Sequence, residues 1–220
     1  MSIWIKICGN TSLADAQLAA ESGADAVGFV FAPSPRRVSI EQVAAITPHL
    51  PAATEKIGVF VGASFDEIAF TVEACSLTGV QLHFDPPPEL TDQLRRRFGP
   101  QLRILRVIHF NSASAHEFAS AAADPNTSAV LVDSRTATAA GGTGIAYDWI
   151  DASKSLFWNP EMRKQNLVVA GGLTPANVAD PIAALEPWGV DVVSGVESAP
   201  GKKDPDKVRA FIANARLASR

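Results

Sequence analysis

Eight times along this chain, a short apolar run rich in valine and isoleucine gives way to an amphipathic stretch. The runs are "IWIKIC" (3–8), "AVGFVF" (26–31), "KIGVFV" (56–61), "VQLHF" (80–84), "RILRVIHF" (103–110), "AVLVDS" (129–134), "LVVAGG" (167–172) and "VDVVSG" (190–195). Most are apolar at successive positions, the pattern of parallel strands buried on both faces. The stretches between them carry helix starts that can be named. Ser12 with Asp15, Ser39 with Gln42 and Ser64 with Glu67 have capping-box spacing. Thr174-Pro175 and Asp204-Pro205 each set a capping side chain before a proline at the first helical position. Helices are therefore predicted at about 12–22, 40–48, 65–76, 89–98, 112–123, 146–153, 175–186 and 204–217.

Eight strand–helix units with no linker-like composition between them predict an α/β fold, a closed (β/α)8 or TIM barrel, with residues 1–220 as a single domain. The competing solution is a doubly wound open sheet. It generally has fewer strands and a G-x-G-x-x-G turn after the first, whereas the first run here ends in Cys-Gly-Asn. With 47% hydrophobic and 19% charged residues the chain can fill a large core. A net charge of −4 weighs against nucleic acid or an anionic membrane as partner. No apolar stretch approaches the roughly 20 residues of a membrane span, and no signal-peptide pattern opens the chain. Two distant cysteines, Cys8 and Cys75, suit a reducing cytoplasm better than a disulfide framework.

In a closed barrel, chemistry collects where strands end and the chain turns into helices. Cys8 stands at such a point, after the first run, whereas Cys75 falls on a helix and is expected to be structural. Asp133 closes the sixth run, where four apolar residues precede it and burial without a purpose is costly. The two make a base and an acid across the mouth. Glycine segments "GGTG" (141–144), "AGGL" (170–173) and "SGVES" (194–198) follow runs six, seven and eight. Gly142, Gly144, Gly171, Gly172, Ser194 and Gly195 are thus candidates to turn backbone N–H groups towards a phosphate. In "SPRRVS", Arg36 or Arg37 offers a guanidinium for a carboxylate. His83 near the end of the fourth run is either a donor to ligand or a core histidine. His49, His109 and His116 lack metal-ligand spacing, and no cysteine pair suggests zinc.

The stretches "KICGNTSLADA", "GADAVGFVFAPSPRRVS", "GVQLH", "LVDS", "GGTGIAYDW", "VVAGGLTPANV" and "VDVVSGVESAPGKKD" resemble the phosphoribosylanthranilate isomerase family of tryptophan biosynthesis, from Lys6 to about Phe211. The resemblance implies the same barrel, a phosphosugar substrate and no cofactor. It implies an Amadori rearrangement of N-(5′-phosphoribosyl)anthranilate with Cys8 as general base and Asp133 as general acid. It matches Arg36 to the arginine that binds the substrate carboxylate, and His83 to a histidine near the substrate. The family usually has a glycine after that histidine; here Phe84 and "DPPP" follow. A histidine-pathway isomerase on the same barrel would resemble a duplicated half-barrel with an aspartate in place of Cys8. A binding protein without chemistry would lack the acid–base pair. Monomer and homodimer are both compatible with the sequence.

The base has to ionise from an ordinary cysteine pKa near 8.5, at which only about 3% is thiolate at pH 7. Helix N-termini at the mouth, or Lys6, are expected to lower it. The alternative for Lys6 is a place in the packed interior of the barrel.

Overall fold

The computed structural model describes residues 2–83, 86–109, 114–133 and 166–219. Eight parallel strands close into a barrel in chain order. They are β1 (Trp4–Ile7), β2 (Ala26–Val30), β3 (Glu55–Val61), β4 (Gly79–His83), β5 (Arg103–His109), β6 (Ala129–Asp133), β7 (Leu167–Ala170) and β8 (Gly189–Val192). Closure is made by β1, which pairs with β2 on one side and with β8 on the other, Lys6 standing opposite Asp191. Each of the eight apolar runs coincides with one strand, though β3, β4 and β8 begin one residue before their runs.

Five helices follow the first five strands: α1 (Leu13–Glu21), α2 (Ile40–Ile46), α3 (Phe65–Ala74), α4 (Pro88–Phe98) and α5 (Ser114–Ala123). Helices Ala179–Leu185 and Pro205–Ala218 follow β7 and β8. The stretch predicted as a helix at 146–153 lies outside the described residues, as does "WNPEMRKQ" (158–165).

The caps explain most of the starts. Ser39 and Gln42 exchange hydrogen bonds at 3.2 and 2.8 Å, and Ser64 and Glu67 do so at 3.4 and 2.8 Å. Ser12 supplies only half of its box, accepting from the Asp15 N–H at 3.2 Å. Asp204 accepts from the Asp206 and Lys207 N–H groups ahead of Pro205. Each cap is worth about 1 kcal/mol. The start expected at Thr174-Pro175 is displaced. Asn177 Oδ1 accepts the Thr174 N–H at 2.7 Å and holds a turn there, so the helix begins at Ala179.

Strand alternation divides the core in two. One face of the sheet packs on the helices, through residues such as Ile5, Ile7, Phe29, Ile104 and Phe211. The other fills the barrel with Trp4, Ala26, Ile57, Leu105, Val107, Ala129, Leu131, Val168 and Ala170. The floor is shut where the strands begin. Trp4 stacks on Trp188 at 5.0 Å, and the Arg103 guanidinium lies 5.0 Å from the Trp188 ring while gripping Glu55 with two hydrogen bonds. Access from outside is thereby left to the ends where the strands finish. Among the described residues, no helix is long and apolar enough to cross a membrane.

Candidate active site

A cavity of about 270 Å³ opens at the C-terminal ends of the strands. Cys8, Arg36, His83, Asp133, Gly171, Gly172 and Ser194 all line it. Cys8 is the first residue beyond β1, and its N–H still donates to Val192 O at 2.9 Å. The side chain of Asn10 ties the turn that follows, donating to Ile7 O and Gly28 O at 2.8 and 3.2 Å. Asp133 is the last residue of β6, three strands around the barrel from β1, and only 3% exposed.

Beneath Cys8 lies Lys6, completely buried. Its ammonium donates to Asp191 Oδ1 at 3.0 Å and to Gln81 Oε1 at 2.8 Å, and its charge acts on the neighbouring Cys8 sulfur. Gly28 makes this possible. A Cβ there would fall 2.5 Å from the Cys8 sulfur and 2.9 Å from Lys6 Cε, so the absent side chain is the space both occupy. Burial opposes the charge of Lys6, but Asp191 and Cys8 outweigh it and hold the ammonium above its ordinary pKa. Burial pushes the Cys8 thiol up. The Lys6 charge opposes this, Asp191 reinforces it, and the net shift is upward. The lowering expected from the sequence is therefore corrected: Lys6 does face the thiol, yet desolvation and Asp191 win.

Around the rim, Arg36 Nε and Nη2 donate to the two oxygens of Glu197 at 2.8 and 2.6 Å. Glu197 also accepts from Lys203 Nζ at 3.2 Å, and the same ammonium donates to Cys8 O at 2.6 Å. Burial works against charge on both partners. Arg36 and Lys203 nevertheless draw Glu197 below its usual pKa, whereas for Lys203 burial wins and lowers it. Two guanidinium or ammonium charges against one carboxylate leave this trio with one net positive charge at the mouth. His83 ends β4, its Nε2 3.1 Å from Gln81 Nε2. Gly171 and Gly172 both have positive φ, +91° and +63°, a backbone that glycine adopts without strain. A Cβ on Gly195 would sit 1.8 Å from Leu173 O, so this glycine lets the loops after β7 and β8 lie against each other.

A family model described as N-(5′-phosphoribosyl)anthranilate (PRA) isomerase matches residues 5–214. The chain belongs to this family. A curated N-(5′-phosphoribosyl)anthranilate isomerase of Geobacter sulfurreducens is 41% identical over 213 residues, covering 96% of this chain and 98% of the relative. The crystal structure of phosphoribosyl anthranilate isomerase from Thermotoga maritima superposes with a TM-score of 0.83 at 36% identity, covering 98% of this chain and 99% of the other. A further phosphoribosyl anthranilate isomerase, crystallised with reduced 1-(o-carboxyphenylamino)-1-deoxyribulose 5-phosphate, superposes with a TM-score of 0.81 at 35% identity, over 98% of this chain and 99% of that one. The chain is an isomerase of tryptophan biosynthesis. It converts N-(5′-phosphoribosyl)anthranilate to 1-(2-carboxyphenylamino)-1-deoxyribulose 5-phosphate.

Of the residues singled out from the sequence, seven line the one cavity. Gly195 stands beside it in the short 3-10 turn Ser194–Val196, and Gly142 and Gly144 lie outside the described residues, as do Phe84 and Asp85. Of the two adjacent arginines, Arg36 lines the cavity and Arg37 is exposed on the segment beside β2. Cys75 is buried at the end of α3, where its sulfur donates to Ile40 O at 3.5 Å. Sequence reasoning missed Gln81, Asp191, Glu197 and Lys203. The available signal was a polar residue inside an apolar run, as in "IKI", "VQL" and "VDV". In a strand buried on both faces such a residue needs a buried partner. Among the described residues, no group of three or more His, Cys, Asp and Glu side chains is placed to hold a metal ion.

Proposed function

We propose that Cys8 is the general base and Asp133 the general acid of the isomerisation. Arg36 and His83 bind the anthranilate end of the substrate, and the loops after β6, β7 and β8 bind its phosphate through Gly142, Gly144, Gly171, Gly172, Ser194 and Gly195. One observation carries this: a thiol and a carboxyl, from strands three apart around the barrel, line one small cavity together with an arginine and two glycine loops. The ligand in the related crystal structure joins a phosphosugar to an aromatic carboxylate. The net positive trio at Arg36 suits that carboxylate, which reaches the guanidinium beside Glu197 or in exchange for it.

Asp133 donates its proton to the furanose ring oxygen. The C1′–O bond breaks, and the nitrogen lone pair forms the Schiff base. The Cys8 thiolate then removes the C2′ proton, and the electron pair of that bond forms C1′=C2′ and neutralises the nitrogen. Loss of the enol proton and protonation at C1′ give the ketone, with no net change in composition. Each correctly placed acid or base supplies about 10²–10⁴-fold.

The experiment is turnover of freshly made phosphoribosylanthranilate, followed by loss of its fluorescence. Cys8→Ser and Asp133→Asn are each expected to cut kcat by about 100-fold or more with smaller changes in KM. Near-wild-type turnover in either variant removes that residue from the mechanism.

A further inference from the structure

Lys6, Gln81 and His83 form a directional line of hydrogen bonds from the barrel interior to its mouth. An ammonium has three N–H donors and no acceptor. Two of those of Lys6 are taken by Asp191 Oδ1 at 3.0 Å and Gln81 Oε1 at 2.8 Å. The second contact fixes the Gln81 amide, because only its oxygen can face an ammonium. Its nitrogen therefore faces away, and it lies 3.1 Å from Nε2 of His83. An amide nitrogen donates and does not accept, so Nε2 of His83 accepts and the ring proton resides on Nδ1. Gln81 and His83 stand two residues apart on one strand and so share a face, and Gln81 is only 3% exposed. Little freedom remains for the amide to turn over.

We propose that Gln81 is a positioning residue that passes the polarity of Lys6 on to His83, holding that ring as an Nδ1–H donor for an oxygen of the substrate. The functional half of this rests on His83 touching the substrate; the tautomer does not. One buried ammonium then serves both ends of the reaction: it faces the base directly and, through an amide, orients a binding group. Gln81→Glu reverses the second link, because a carboxylate accepts from Lys6 and from the ring alike and draws the ring proton to Nε2.

Long-range ¹H–¹⁵N correlation of the histidine rings in the wild-type enzyme tests the first step, with His83 assigned by its loss in His83→Asn. A proton on Nδ1 is expected, and a proton on Nε2 overturns the proposal. In Gln81→Glu the Nε2 signal should become the protonated one; an unchanged tautomer also overturns it. In kinetics, Gln81→Glu and Gln81→Leu should raise KM by about tenfold with kcat within about threefold. Placed in a His83→Ala background, the same substitutions should add nothing further to KM. An additive rise means that Gln81 does not act through the ring. An unchanged KM in His83→Ala alone overturns the substrate contact, and the functional half of the proposal with it, whatever the tautomer proves to be.

Discussion

The protein buries two thiols, and they live in different surroundings. Cys75 closes α3 against α2, completely buried, with a backbone carbonyl as its hydrogen-bond acceptor. Burial pushes it up to about 11. Cys8 is nearly as buried, at 3% exposed, yet it lines an open cavity and has the Lys6 ammonium against its sulfur. Both are shifted upward by desolvation, so burial does not distinguish them. What distinguishes them is a partner for the thiolate and a space in which a C–H bond can approach it.

Substituting each thiol tests the contrast most directly. Cys8→Ser is expected to cost about 100-fold or more in kcat, while Cys75→Ser stays within about twofold, measured under saturating substrate. A matching loss at Cys75 would break the distinction.

Neutralising the ammonium comes next. Lys6→Met combined with Asp191→Asn removes the pair without leaving a carboxylate unpaired in the interior. Lys6 is the larger of the two influences on the thiol. The double variant should therefore slow iodoacetamide alkylation of Cys8 at pH 8 by about tenfold and lower kcat comparably, the equivalent of about one pKa unit. Equal alkylation of wild type and variant would mean that the cavity alone, and not the cation, sets Cys8 apart.

The wild-type pH profile sharpens this further. The proposed base acts as a thiolate, and the folded Cys8 lies above the ordinary thiol value, so kcat/KM should still be climbing past pH of about 8.5. A plateau reached near neutrality would exclude a raised Cys8 as the base.

The smallest effect belongs to Cys75. Its folded pKa of about 11 exceeds the ordinary thiol value of 9.0, so its contribution to stability is complete below about 9 and is lost as pH rises towards about 11. Cys75→Ala should flatten the pH dependence of denaturant unfolding in that window.

The barrel was legible because its strands are short, buried on both faces and separated by helix-length stretches, and because Ser39, Ser64 and Asp204 announce their helices. Cys8 and Asp133 were legible because strand ends in a barrel share one mouth. The support beneath them was not. Lys6 and Asp191 are 185 positions apart, and Lys203 reaches Cys8 across 195. No local pattern links such residues; closure of the sheet between β1 and β8 does. Arg36 shows the same limit. Its type suited a ligand carboxylate, and the folded chain supplies Glu197 as a first carboxylate partner. The displaced helix start at Thr174 failed for a local reason, an asparagine side chain competing successfully for the backbone.

The brace from Lys203 to the carbonyl of Cys8 has a consequence for biosynthesis of the enzyme itself. Cys8 acquires its ammonium clamp only after residue 203 has been added, and β1 stays an open edge until β8 arrives. A nascent chain stopped short of that point holds the Cys8 thiol without its setting, so the cavity is complete only after Lys203 has joined it.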